Sequence, residues 1–292
     1  MGKIAVITDS NSGITQKQAE QYGVVVVPMP FLIAGETYFE DVTLTHDAFF
    51  ARLQEDVDIS TSQPSPETVM EIWDKALETS EEIVYIPMSS GLSGSCQTAI
   101  MLADDYDGKV QVVNNQRISV TQKQSVLDAL TLADQGWSAK QIKEKLEEEK
   151  LEEEKLESSI YIMLDTLKYL KKGGRITPAV AALGTALRLK PVLQIQGEKL
   201  DAFTVAKTSK RGISKMLDAI QDDIEKRFDG IENVHMEVAH TCNEEAAAQF
   251  CDLIRERFGD VGEIMTDPLS LSVSCHIGPK ALAIACTKKL SV

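Results

Sequence analysis

The sequence predicts an α/β protein: a parallel-sheet, three-layer N-terminal domain over residues 1–157, then a second, two-layer α/β domain with a mixed sheet over 158–292. Three observations carry this expectation. Short β-branched runs alternate with helical patterns through the first half. Those runs are almost continuously apolar, as strands are when helices cover both faces of a parallel sheet. Finally, 292 residues are enough to bury two separate cores.

Taken in order, residues 4–7, 24–27, 83–86 and 110–113 are predicted strands, and 16–22, 67–77, 97–103 and 125–133 are predicted helices. The first strand begins the fold at once, and its apolar core is too short for a secretion signal. Ser65, ahead of Pro66 and Glu67, suits a helix N-cap with proline at the first helical position. Residues 144–157 then form a charged repeat whose eight Glu and three Lys give 3 − 8 = −5. Its Leu146, Leu151 and Leu156 step about 140° around a helix, so they make no single apolar stripe. Lys–Glu pairs three and four apart suit a solvated helix end between the two domains. The second half reads as an α+β layer domain, with strands at 160–164, 192–195, 234–239 and 281–286 and helices at 213–228 and 244–258.

Lys and Arg number 30 against 45 Asp and Glu, a net charge of −15. That balance argues against a surface that coats nucleic acid or clings to anionic membrane. No apolar run is long enough to span a bilayer. The five cysteines, Cys96, Cys242, Cys251, Cys275 and Cys286, show no metal-binding spacing and read as free buried thiols of a cytoplasmic protein.

The chemistry concentrates in a few loops. Ser89-Ser90-Gly91-Leu92-Ser93-Gly94-Ser95 joins a predicted strand to a predicted helix and offers four hydroxyls and two glycines. Such a turn presents N–H groups at a helix N-terminus, where the helix dipole favours an anion. Ligands in parallel sheets bind outside the carboxyl ends of strands, which is where this turn lies. A second cluster, Ser60-Thr61-Ser62-Gln63-Pro64-Ser65-Pro66, precedes the helix at 67 and leaves Thr61 and Ser62 ahead of the cap. His46 reads as a surface or cap residue and His235 and His240 as paired polar groups of a strand. His276, in Cys275-His276-Ile277-Gly278-Pro279, sits on a turn that can lift its imidazole into a cleft. Lys171-Lys172-Gly173-Gly174-Arg175 is a basic island whose glycines break a helical pattern. They leave Arg175 near a turn, and its fork suits phosphate or carboxylate.

Together these residues resemble the DegV family. The motifs that carry the resemblance are Thr8-Asp9-Ser10, 61–66, 89–95, 164–176, Leu189-Lys190-Pro191-Val192-Leu193 and His276-Ile277-Gly278-Pro279, running from the first strand to the last. The family is similar to the fatty-acid-binding subunit of the bacterial fatty acid kinase system. The resemblance implies a non-catalytic carrier that holds a long-chain fatty acid buried between its two domains and presents the carboxylate to a kinase catalytic subunit. It implies a place in phospholipid metabolism, with no cofactor and no metal. By position it puts the carboxylate against Thr61, Ser62, Ser93, Gly94 and His276, and it turns Arg175 toward the kinase or the acyl phosphate. Two places depart from the family pattern: Lys280 follows Gly278-Pro279 where a glycine is common, and Lys207-Thr208 stands where an arginine is frequent. The residues also admit other readings. A serine hydrolase would use Ser93, His276 and Asp267 in a suitable chain order, but the nucleophile turn lacks its final glycine. A phosphoryl-transfer enzyme would need a Gly-Lys-Ser/Thr loop that is missing here.

Overall fold

The computed structural model describes residues 3–55, 57–147, 157–175, 177–183, 189–197 and 199–291. Contacts divide the chain into two units, Met1–Lys155 with Ser270–Ser272, and Leu156–Leu269 with Val273–Val292.

The first unit is built on four parallel strands. β1 (Ile4–Asp9) lies between β2 (Val25–Val27) and β6 (Glu82–Ile86), and β7 (Val110–Val112) completes the order β2-β1-β6-β7. Alternate residues of these strands face opposite layers. Ile7, Ile83, Tyr85, Val110 and Val112 meet Val69 and Trp73 of α3 (Pro66–Leu77) and Cys96 and Ala99 of α4 (Ser95–Ala103). Trp73 is fully buried and meets Tyr85 edge-on at 5.5 Å. On the opposite face, α5 (Ser119–Asp134) packs on β1 and β6, and α6 (Ala139–Glu147) on β6 and β7. The predicted three-layer arrangement is therefore observed. Helix starts follow local chemistry: Thr15 and Gln18 form a reciprocal capping box for α1 (Gln16–Tyr22), and Ser65 caps α3 with Pro66 behind it.

Several elements differ from the sequence reading. A small antiparallel sheet, β4-β3-β5, is formed by β3 (Pro30–Ile33), β4 (Glu36–Phe39) and β5 (Ile59–Thr61), none of which was anticipated. Thr45 caps α2 (His46–Gln54), which places His46 in its first turn. Helix α5 starts at Ser119, six residues before the predicted helix. Its first two turns bury Thr121, Gln122, Lys123, Gln124 and Ser125, so a polar composition conceals a core helix. Of the charged repeat, residues 144–147 end α6 with Leu146 buried, while 148–156 lie outside the described residues.

The second unit has a mixed six-stranded sheet, as expected. Its order is β10-β9-β8-β13-β11-β12, from β8 (Ser158–Met163), β9 (Lys190–Ile195), β10 (Leu200–Ala206), β11 (Val234–His240), β12 (Ile264–Pro268) and β13 (Leu282–Lys288). Among the described residues only the β11–β12 pair of this sheet is parallel. One face, including Tyr161, Met163, Val238, Leu282 and Ile284, packs on α9 (Ser209–Arg227) and α10 (Glu244–Phe258). The short helices α7 (Lys168–Lys172) and α8 (Pro178–Ala182) belong to this unit, as does α11 (Leu271–Ile277) from Val273 onward. Strands β10 and β12 were not anticipated. Among the cysteines, none of which forms a disulfide, Cys96, Cys251, Cys275 and Cys286 are buried but Cys242 is exposed, which corrects the expectation of five buried thiols.

Candidate functional site

In the first unit the hydroxyl loop leaves the carboxyl end of β6 and runs into α4. Its root is pinned where the Ser89 N–H donates to the Arg117 carbonyl at 2.9 Å. The Ser89 hydroxyl accepts from the Gly91 N–H at 3.2 Å, and the Ser89 carbonyl accepts from Leu92 and Ser93 N–H at 3.0 and 3.2 Å. Two of the loop's polar atoms are thus used to shape the loop itself. Ser93 is half-buried, and its hydroxyl accepts from the Ser95 N–H at 3.2 Å. Gly94 is exposed and occupies the N-cap of α4, which has no side-chain cap and no acidic residue in its first turn. Gly94 thus offers the helix no capping side chain, the Ser93 hydroxyl takes only its first N–H, and no carboxylate of its first turn offsets its positive end.

Ser95 adds a donor that its place in the sequence does not single out. It is 7% exposed, and its hydroxyl has no hydrogen-bond partner among the described residues. A buried hydroxyl left unpaired is unfavourable, by about 1–3 kcal/mol on mutational scales. The composition of the loop advertises four hydroxyls, and only burial distinguishes this one.

Thr61 and Ser62 come from the other loop of the same unit. Thr61 ends β5, opposite Phe31, and is half-buried; Ser62 is exposed and its N–H donates to the Pro30 carbonyl at 3.2 Å. The next residue, Gln63, accepts from the Thr98 hydroxyl of α4 at 3.3 Å. Its side-chain oxygen would lie 3.6 Å from a methyl group built on Gly94. The structure therefore brings 61–63 alongside the start of α4.

In the second unit His276 lies in the last turn of α11, not on a turn between elements as the sequence suggested. Its ring rests on the backbone of Gly173: a methyl group built there would be 2.1 Å from Nδ1. Gly278, at φ +81, is approached equally closely by Tyr169, whose Cδ2 would be 2.2 Å from an added methyl. Arg175 is exposed and folds back to donate to the Gly173 carbonyl at 2.8 Å. Burial, with a contribution from Arg175, lowers the His276 pKa to about 4, so the imidazole is neutral at pH 7. Cys275 beside it is pushed up to about 11 by burial. The two motifs that supply His276 and Arg175 are thus one piece of structure.

The hydrolase arrangement finds no support in this geometry. The base of a Ser–His–Asp triad is oriented by a carboxylate that stabilises its charged form, whereas Arg175 acts on His276 to disfavour the charged imidazole. Lys280 takes a left-handed backbone, φ +64, at the position where the sequence pattern favours glycine. Thr208, next to Lys207, caps α9 by accepting from the Arg211 N–H at 3.3 Å. Among the described residues no group of three or more His, Cys, Asp or Glu is placed to hold a metal ion. None of their helices is long and apolar enough to cross a membrane.

Comparison with known proteins places these features in context. A family model described as "Uncharacterised protein, DegV family" matches residues 3–289. A DegV domain-containing protein of Deinococcus radiodurans is 29% identical over 283 residues, 97% of both chains. Among solved structures, a DegV family protein of Thermus thermophilus, described for its fatty acid binding, is 28% identical with a TM-score of 0.85, covering 98% of this chain and 100% of its own. DegV of Bacillus subtilis, a fatty acid binding protein, is 26% identical with a TM-score of 0.84, covering 99% of this chain and 100% of its own.

Proposed function

The chain belongs to the DegV family, and from that premise we propose that it is a fatty acid-binding protein rather than an enzyme. The observation that carries this reading is the start of α4, where a helix N-terminus with no capping side chain at Gly94 and no acidic first turn coincides with the buried Ser95 hydroxyl, which has no hydrogen-bond partner among the described residues. Both ask for an acceptor with negative charge, and a carboxylate supplies it. The fatty acid binding described for the Thermus and Bacillus relatives favours a fatty acid over other anions.

In this proposal Thr61, Ser62, Ser93, Gly94 and Ser95 take the carboxylate, with the neutral His276 as a further donor. The division of labour follows the predicted domains: 1–157 carries the headgroup loops, and 158–292 encloses the lipid. The sheet face turned away from α9 and α10 suits an acyl chain. On it the small Ala239, Ala283 and Ala285 stand beside Ile160, Ile162 and Leu193, all buried. Burying the fourteen methylenes of palmitate contributes about 11 kcal/mol before the costs of association. The carboxylate is presented to a partner kinase in the cytoplasm, which makes the acyl phosphate. Exposed Lys171, Lys172 and Arg175, on a chain of net charge −15, form the contact that favours such a partner.

Protein purified from bacteria is expected to release fatty acid on denaturation, detected by mass spectrometry. A lipid-free preparation that also fails to take up oleate or palmitate overturns the reading. Ser93→Ala and His276→Ala are expected to weaken lipid retention. Arg175→Ala is expected to retain lipid and to impair phosphorylation by the kinase; the reverse outcome would reject the roles given to these residues.

A further inference from the structure

The motif that ends β1, Thr8-Asp9-Ser10, contributes none of the proposed headgroup donors, yet it holds a carboxylate only 1% exposed. Among the described residues no ion pair is made to Asp9. Burial pushes its carboxyl up from its ordinary value, and hydrogen bonds pull the other way. Four N–H groups converge on it. Oδ2 accepts from the Met88 backbone at 2.9 Å; Oδ1 accepts from the Asn11 backbone at 3.0 Å, the Asn11 side chain at 3.0 Å and Gln122 Nε2 at 3.1 Å. Gln122 Nε2 lies within 3.1 Å of the Thr8 hydroxyl and of the Ile86 carbonyl as well. Thr8 also donates to Ile86 at 2.7 Å.

These bonds converge at one place. β1 lies beside β6 with Thr8 opposite Ile86, so Asp9 stands level with the exit of β6. Met88 is the residue immediately before the hydroxyl loop. With the Ser89 N–H held by Arg117, two successive backbone N–H groups at the loop's root are fixed from outside the loop. Both oxygens of the carboxyl accept. An asparagine would accept through one oxygen and turn an NH2 toward donors on the other side. Asn11, held by Asp9, accepts in turn from the Ser272 hydroxyl of the same unit.

We propose that Asp9 is a positioning residue for the carboxylate-binding loop: through the Met88 N–H it holds residues 89–95 in the geometry that receives the ligand. The ligand side of this inference rests on the fatty acid reading above, whereas the loop geometry does not.

The test compares wild type, Asp9→Asn, Ser93→Ala and the double variant at pH 8, using 11-(dansylamino)undecanoate as the probe and amide hydrogen exchange of the ligand-free proteins. In Asp9→Asn the amides of 88–95 are expected to exchange at least about tenfold faster, while Val6 and Val84 stay protected. Probe binding is expected to weaken about tenfold, and adding Ser93→Ala to Asp9→Asn to cost less than it does alone, because both act through one loop. A purely structural Asp9 would give losses that multiply. Unchanged exchange at 88–95, or multiplying losses, overturns the proposal. If the wild type does not bind the probe, the fatty acid reading fails and the exchange result alone decides the role of Asp9. If Asp9→Asn does not fold, Gln122→Met, which deletes one donor to Oδ1, is expected to loosen the same amides to a smaller degree; no change there overturns the proposal too.

Discussion

Replacing Ser95 by alanine separates the needs of the empty protein from those of the loaded one. Without ligand, the Ser95 hydroxyl is buried and unpartnered among the described residues. Removing it relieves a desolvation cost of about 1–3 kcal/mol, less what the small void left behind takes back. Ser95 is also the first residue of α4, where alanine favours a helix by a few tenths of a kcal/mol. Lipid-free Ser95→Ala is therefore expected to be as stable as wild type or about 1 kcal/mol more stable, a rise of roughly 2–4 °C in Tm for a domain of this size. In the proposed complex with a fatty acid, the same hydroxyl would donate to a charged acceptor, an interaction worth about 1.5–3 kcal/mol. Affinity should then fall roughly 10- to 150-fold. Thermal denaturation of delipidated protein and titration with a fluorescent fatty acid give the two numbers. A lower Tm without ligand, or an unchanged affinity, refutes the reasoning, since the hydroxyl would then be satisfied within the protein or irrelevant to the guest.

Gly173→Ala keeps an allowed backbone, φ −79, but sets a methyl 2.1 Å from His276 Nδ1; the ring must move. Stability should drop by about 1–3 kcal/mol, and the His276 pKa should climb from about 4 toward its ordinary value, read by NMR of labelled histidine; an unshifted titration would reject the close packing. Glu40, pushed up to about 7 by burial although Leu271 N–H and the Ser10 hydroxyl donate to it, binds its proton more tightly folded than unfolded. Its contribution to stability is present below about 4.5 and lost as pH rises to 7, by up to about 3 kcal/mol. Glu40→Gln should gain stability relative to wild type across that rise in urea unfolding, and a constant difference would refute the shift. His276 acts with the opposite sign, its share being present above about 6.5 and lost as pH falls toward 4. Lys280→Gly should stabilise by roughly 0.5–1 kcal/mol, because φ +64 is unfavourable for lysine; a destabilised variant would mean that the side chain is held by more than its backbone.

Much of the architecture was legible because its strands are apolar on both faces. Ile83, Val84, Tyr85 and Ile86 are all buried, so no periodicity had to be detected. Elements that face water on one side were harder to read. β3 shows Leu32 to solvent, 48% exposed, between the buried Phe31 and Ile33, so its apolar run hides the alternation that marks a strand. The first turns of α5 fail in the opposite sense. Gln122 and Ser125 are buried because they have bonds to make, to Thr8, Asp9 and Ile86 and to Asn115 and Arg117, and a search for apolar faces passes over such residues. The hydroxyl loop was recognisable from its composition. Which hydroxyl points inward was not, since Ser93 and Ser95 are the same residue type two positions apart and only packing distinguishes their roles.

The glycines of the basic island end α7 as the sequence predicts, and do more. In the sequence, Gly173 and Gly174 serve to end a helical pattern. In the structure, Gly173 also supplies the bare backbone on which the His276 ring lies, and Gly278, two residues past His276, leaves room for Tyr169. Each motif thus lends the other the space its large side chain needs, across about a hundred residues of sequence. That interlock gives His276 its low pKa: the ring is desolvated against Gly173, and Arg175, fastened to the same glycine's carbonyl, adds a positive charge nearby. An imidazole kept neutral in this way can donate a hydrogen bond to a carboxylate without becoming its counter-ion. In the fatty acid reading proposed above, such a donor would release its guest without first separating an ion pair.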